Sequence, residues 1–340
     1  MSTAAPQAPV ATGGRAPNPP VLKRLWRVRE ASTLAILLLE IAFFGWYLWP
    51  EFGTYHPFLS TSNALLVLKY SSIYGIAAIG AAIVIISGGI DLSPGALIAL
   101  ASVVTGGLFV EGGWGLGPSV VAGLLVGVAS GLLVSLLVIA VQLPPFIATL
   151  GAMGIVRGVG FVVTEARYFD LSRLLPQAWH PLGIPLDWWP PTVMIALALV
   201  FHAAMHKLQW GRAVYAIGGN ETAALFSGIS LPRIKTSVYL ISAVLAAVSG
   251  VVLALVQGQG KADLAMGYEL DIIASAVVGG ASLSGGRGSV IGAVLGALIF
   301  GVLRNALAQI PGATFYDRMI VGVVVIVIVV MDQILVKRGA

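Results

Sequence analysis

Ten stretches of the chain are nearly free of charge and rich in apolar residues, at about 31–49, 62–86, 93–111, 117–141, 145–164, 190–207, 236–257, 268–281, 289–308 and 317–336. Most hold the roughly 20 residues that a helix needs to cross the hydrocarbon layer with every backbone group paired internally. Ten membrane helices are therefore predicted. The stretch at 268–281 is the exception in length, short and flanked by glycine, and it predicts a broken or re-entrant element. The first stretch follows Lys23, Arg24, Arg27 and Arg29 and ends in an aromatic belt of Trp46, Tyr47 and Trp49. It is too long for a signal-peptide core and lacks an A-x-A cleavage site, so it reads as the first membrane helix.

Polar positions arrive between these stretches in short bursts, and their sign sets a topology. With an inside amino terminus, the inside segments hold Lys23, Arg24, Arg27, Arg29, Lys207, Arg212, Arg233, Lys235, Arg287, Lys337 and Arg338. The outside segments hold Arg167, Arg173, Lys261 and Arg318. This bias follows the positive-inside rule, with an even helix count and both termini cytoplasmic. Residues 1–22, rich in Ala, Pro and Gly, are expected to form a disordered cytoplasmic tail, and 23–338 a single transmembrane domain.

Composition agrees: charged residues are 10% and hydrophobic residues 58% of 340, and the mean hydropathy is +0.96. A soluble domain carries about 25% charge. The net charge of +5 belongs to topology and gives no reason to invoke nucleic acid. The absence of cysteine excludes thiolate nucleophiles, thiolate metal sites and disulfides.

Two glycine patterns stand out. Gly123, Gly127, Gly131 and Gly288, Gly292, Gly296 leave grooves that let another helix approach, a packing device. The sequence Gly88-Gly89-Ile90-Asp91-Leu92-Ser93 is echoed by Gly279-Gly280-Ala281-Ser282-Leu283-Ser284, which predicts two parallel half-repeats. Ionisable residues at membrane depth (Glu40, Lys69, Asp91, Arg157 and Asp271) are expected either to face a pathway or to be satisfied locally, Glu40 with Lys69 and the others by solvation near helix ends. A segment at about 207–235 holds a short helix: Asn220 caps it, Glu221 suits its positive end, and Gly228 stops it. Ala223, Ala224, Leu225 and Phe226 are expected to be exposed there, a face that asks either for a docking partner or for its own membrane domain to lie against.

Catalytic signatures are missing. There is no G-x-x-x-x-G-K-[ST] loop, Gly260-Lys261-Ala262 being the nearest approach, and no nucleophile paired with a base. His202 and His206 stand four apart without the glutamate of a zinc-binding helix, so these histidines and His56 and His180 read as interfacial. No cofactor or metal is expected.

Four ordered stretches carry a resemblance: Ser87–Gly95, Pro144–Gly151, Ala216–Asn220 and Gly280–Gly288. Together they resemble the ribose, xylose and galactose permease family of ATP-binding cassette importers and, more distantly, branched-chain amino-acid permeases; Pro94 stands where that pattern usually has valine. The resemblance implies an all-α, polytopic permease of the bacterial inner membrane that carries a monosaccharide by alternating access and is not itself an enzyme. It also implies a second permease copy or paralogue, cytoplasmic ATPase subunits that bind the ATP, and a periplasmic sugar-binding protein, in surrounding lipid. Gly219, Asn220, Glu221, Ala224 and Gly228 would form the segment that couples to the ATPase. Asp91, Ser93, Thr149, Asp271 and Ser284 would line or gate the pathway, with Arg287 at its cytoplasmic mouth. A permease for another small polar solute, or a secondary transporter driven by an ion gradient, is the alternative.

Overall fold

The structure is a computed structural model that describes residues 29–49, 57–165, 167–172 and 184–338. The expected tail at 1–22 lies outside these residues, as do Lys23, Arg24, Arg27, His56, Arg173 and His180. Every one of the ten apolar stretches is a helix: α1 Arg29–Tyr47, α2 Thr61–Ile86, α3 Pro94–Val110, α4 Leu116–Ser135, α5 Pro145–Thr164, α6 Trp189–Lys207, α9 Leu231–Gln257, α10 Tyr268–Val278, α11 Val290–Gln309 and α12 Asp317–Arg338. Two short helices, α7 Gln209–Gly219 and α8 Glu221–Phe226, fill the polar segment between α6 and α9. By length and composition, α1, α2, α4, α5, α6, α9 and α11 are fit to cross a membrane. The protein is thus all-α and polytopic, apart, among the described residues, from one antiparallel pair, β1 Tyr168–Asp170 with β2 Gln259–Lys261, which the apolar pattern did not predict.

Helix α2 is the axis. It is apolar all round, and every residue from Ser71 to Ile86 is buried, the environment that such a helix requires. It packs against α6, α9, α10 and α11, while α3 and α4 close on α9. The glycine grooves do what their spacing predicts, except that Gly288 lies in the loop before α11 and not on its face. Gly127 and Gly131 seat against Ala243, Val244 and Leu240 of α9, and Gly292 and Gly296 bring α11 onto the carbonyls of Gly279 and Ser275. A leucine at Gly292 would collide with backbone rather than with a yielding side chain. Gly292→Leu is therefore expected to abolish accumulation of folded protein, read as monodisperse yield in detergent, while Gly117→Leu, in open space on α4, leaves the yield unchanged.

Two helices stop inside the bundle. α10, with 11 residues, spans about 16 Å, half of the hydrocarbon thickness. The loop before it folds back, with Ala265 at φ 55° and Gly267 at φ 86°, and its free carbonyls are met by Arg157 on α5. The Arg157 guanidinium donates to Ala262 O at 2.8 Å and Leu264 O at 2.7 Å. Arg157 is thus satisfied locally, as the partner that irregular backbone needs away from water. The other break lies between α2 and α3. Here residues 89–93 form no regular element, and Asp91 holds them: its carboxylate accepts from the Ser93 amide (2.9 Å), the Ser93 hydroxyl (2.6 Å) and the Ser242 hydroxyl of α9 (3.0 Å).

The G-G-x-x-L-S echo has a structural counterpart, shifted by one residue. Gly88 N donates to Ile85 O and Gly89 N to Val84 O; in the second half, Gly280 N donates to Val277 O and Ala281 N to Ala276 O. These are the same Schellman turn, with Gly88 (φ 84°) equivalent to Gly280 (φ 96°) and not to Gly279. The left-handed residue, where only glycine is unstrained, fixes the register.

Two expected pairings are corrected. Lys69 does not meet Glu40: its ammonium is 2.6 Å from Asp187, in the turn before α6. Asp91 and Asp271 are not solvated, since both are buried.

Candidate coupling and pathway site

Three of the four motif stretches converge at one end of the bundle. Gly286 N donates to Ile86 O at 2.8 Å, tying the loop after α10 to the last turn of α2. Gly218, near the end of α7, lies directly on this bond: a Cβ there would overlap the Ile86 carbonyl oxygen and approach Gly286 N to 2.5 Å. A Cβ on Gly285 would in turn come within 2.6 Å of Gly218 O and 3.1 Å of Gly88 Cα. Glycine is needed here for close approach of three backbones. Its neighbour Gly219 faces open space.

Around this junction, side chains lock α7 and α8 in place. Tyr215 on α7 donates its hydroxyl to Gly288 O at 2.9 Å. Burial pushes its phenol above the usual range, with the Glu30 carboxylate adding to the effect, so it stays a donor. Trp210 Nε1 donates to Ser237 Oγ at 2.7 Å, and Lys235 on α9 pairs with Glu221 at 2.7 Å. Asn220 caps α8, accepting from Ala223 N at 2.9 Å, and Gly228 (φ 81°) ends it in a third Schellman turn. Asn220, Glu221 and Gly228 occupy the local positions expected of them. Ala224 does not belong to the exposed face, because it is buried; it turns inward while Leu225 and Phe226 point out, Phe226 at 85% exposure. A six-residue helix has only one inward face, and Ala224 fills it.

The six expected pathway residues do not form one site. Asp91, Ser93 and Thr149 are buried together: Thr149 Oγ1 donates to Pro145 O at 2.9 Å and lies 3.5 Å from Ile90 O. Ser284 and Arg287 are exposed at the glycine junction. Asp271 is separate, near the far half of the bundle, where Arg304 of α11 donates to it at 2.9 Å and to the Tyr74 hydroxyl at 2.6 Å. Arg304 also meets Asp317 at 3.4 Å, and Tyr74 packs on Tyr268 with ring centroids 4.5 Å apart. Sequence reasoning missed Arg304 and Gly218. The signal for Arg304 was present, a lone arginine well inside the apolar stretch at 289–308. Gly218 had none, since nothing local distinguishes it from Gly219.

His202 and His206 stack on α6 at 4.3 Å, and no group of three or more His, Cys, Asp or Glu suited to a metal is found among the described residues.

Comparison with known proteins completes the picture. The family described as branched-chain amino acid transport system, permease component, matches residues 63–329. The ribose import permease protein of Bacillus subtilis is 36% identical over 283 residues, 81% of this chain and 86% of its own length. The D-allose transport system permease protein of Escherichia coli is 34% identical, covering 90% and 92%, and the fructose import permease protein of Rhizobium meliloti 32%, covering 91% and 87%. No solved structure matches the chain. With a polytopic helical fold, paired glycine loops and a match over most of its length, the chain belongs to the permease-component family of these membrane transport systems.

Proposed function

We propose that this chain is the membrane-spanning permease subunit of an ATP-binding cassette importer, carrying a monosaccharide across the bacterial inner membrane while partner subunits bind and hydrolyse ATP. The observation that carries the reading is the α7–α8 unit. It presents Leu225 and Phe226 to a partner and is joined through Gly218 to the ends of both α2 and the loop after α10. A partner that grips α8 and moves on closing around ATP would shift both half-repeats together, which is what alternating access requires. Ribose, allose and fructose import by relatives supports a monosaccharide as cargo.

The positive-inside bias supports placing the glycine junction and α8 on the cytoplasmic side, where an ATPase is found, with the β1–β2 end facing a sugar-binding protein. A second permease copy or paralogue completes the pathway. No residue of this chain performs covalent chemistry in the scheme, and neither a cofactor nor a metal takes part.

The test is ATPase activity in proteoliposomes containing the partner ATPase, with and without this chain and the sugar-loaded binding protein. Loaded binding protein is expected to stimulate hydrolysis only when this chain is present. Phe226→Asp is expected to weaken association with the ATPase at least about tenfold, as for an exposed aromatic anchor. Asn220→Ala removes a cap worth about 1 kcal/mol and is expected to lower stimulation without preventing assembly. Failure to assemble with any ATPase while an ion gradient drives uptake would sink the importer in favour of a secondary transporter.

A further inference from the structure

Between α2 and α11, in the half of the bundle away from the glycine junction, lies a cleft of about 210 Å³. Its walls are Leu66, Val67, Tyr70 and Tyr74 on one side and Arg304 and Asn305 on the other. Gly301 forms the floor, because the Ser71 hydroxyl occupies the space a side chain would take. The wall residues follow helical spacing, i and i+4 on α2 and adjacent positions on α11, so the cleft is built by two regular helices and not by a loop.

Two observations say that this cleft does not face lipid. The Arg304 side chain keeps 25% of its surface accessible, and a guanidinium turned to hydrocarbon is costly. Tyr70, at 41% exposure, brings a hydroxyl to the same opening. The charge balance then defines the occupant. Behind the cleft, Asp271 at 2.9 Å and Asp317 at 3.4 Å offset the Arg304 charge, so the opening has donors but no surplus positive charge to hold an anion. The Asn305 amide is committed within the protein, its oxygen accepting from Asn63 and Gln309 and its nitrogen donating to Asn63, and the Tyr74 ring is buried against Tyr268. The exposed Tyr70 ring and the remaining N–H groups of a neutralised guanidinium suit a small uncharged polyol, the ring covering its C–H face and the N–H groups meeting its hydroxyls.

We propose that this cleft is the station at which the sugar is held inside the membrane domain, stacked on Tyr70 and hydrogen-bonded by Arg304. The proposal rests on the importer reading and deepens it: residues of the permease itself, and not only its binding protein, touch the cargo. Contact is weak by design, since a transporter must release what it binds.

The chain contains no cysteine, so single cysteines report without background. In proteoliposomes holding the complete transporter, Leu66→Cys, on the cleft wall four residues before Tyr70, is expected to react with a membrane-impermeant methanethiosulfonate reagent. The transported sugar, tried as D-ribose, D-allose and D-fructose, is expected to slow the reaction at position 66, where the Tyr70 ring is kept, about fivefold or more, the range of an aromatic contact. Val162→Cys, on the exposed face of α5, is expected to show no sugar protection. Tyr70→Ala should reduce sugar moved per ATP hydrolysed about tenfold, with Tyr70→Phe near wild type, since the ring supplies the contact. Labelling without protection by the sugar that the wild type transports overturns the station. So does a cleft closed to the reagent, or one that cross-links to a second copy, in liposomes where uptake is normal. If the wild type shows no ATP-driven uptake of any sugar, the importer reading falls and the station falls with it.

Discussion

Replacing Gly218 by alanine is expected to abolish sugar uptake, although alanine is the better helix former and α7 is a helix. On propensity alone the change would favour α7 by about 1 kcal/mol. The added methyl would overlap the carbonyl oxygen of Ile86 and lie 2.5 Å from Gly286 N. All three neighbours are backbone, and Ile86 O is already engaged by Gly286 N; no rotamer change relieves the clash. α7 must lift from the junction, which separates Tyr215 from Gly288 O and breaks the path from α8 to α2. Such overpacking costs about 1–3 kcal/mol, and the functional loss is larger because the junction is the connection itself. Uptake in proteoliposomes is expected to fall more than about tenfold, equivalent to only 1.4 kcal/mol, with the ATPase still bound and hydrolysing without sugar dependence. Gly219→Ala, beside it, enters open space and is expected to leave thermal unfolding in detergent unchanged. Equal behaviour of the two variants would sink the junction as the coupling path.

The contrast between these neighbouring glycines marks the limit of what the sequence discloses. Helix existence is local: twenty apolar residues in a row encode α2 or α9 without reference to anything else, and even the shortness of α10 was legible at 268–281. Turn chemistry is nearly as local, so Asn220 and Gly228 bracket α8 as their types suggest. Contacts between helices are not local. Lys69 is nearer in sequence to Glu40 but pairs with Asp187, 118 residues away, because α2 lies against the turn before α6. Ala224 looked like part of an apolar exposed run, and only the direction of a six-residue helix decides that it is buried. The repeat shows the same limit at single-residue scale. Letter matching aligns Gly88 with Gly279, whereas the hydrogen bonds align it with Gly280, since a positive φ is a property of the chain's path and not of the letter alone. The scatter of Asp91, Asp271 and Arg287 over separate regions follows from this: motif position told which residues are set apart, but not which of them meet.

Arg304→Met is expected to destabilise the protein more than any other single side-chain change in the far half of the bundle. The guanidinium serves four groups at once: Asp271 at 2.9 Å, Asp317 at 3.4 Å, the Tyr74 hydroxyl at 2.6 Å, and the Tyr74 ring 5.3 Å below. Methionine fills much of the volume but leaves two carboxylates facing each other, one of them, Asp271, only 4% exposed. Removing one partner of a buried pair costs about 3–5 kcal/mol, chiefly because the remaining charge is stranded. Asp271→Asn should cost less, about 1–2 kcal/mol, since Arg304 keeps Asp317 and Tyr74, and the amide can still accept a hydrogen bond. The double variant Arg304→Met with Asp271→Asn is then expected to be more stable than Arg304→Met alone, because it removes one of the stranded charges. Denaturant unfolding of the four proteins in one detergent gives the coupling energy directly. A coupling energy near zero, with Arg304→Met as stable as the parent, would mean that water reaching the cleft already screens the cluster, and that Asp271 is not held as a buried charge.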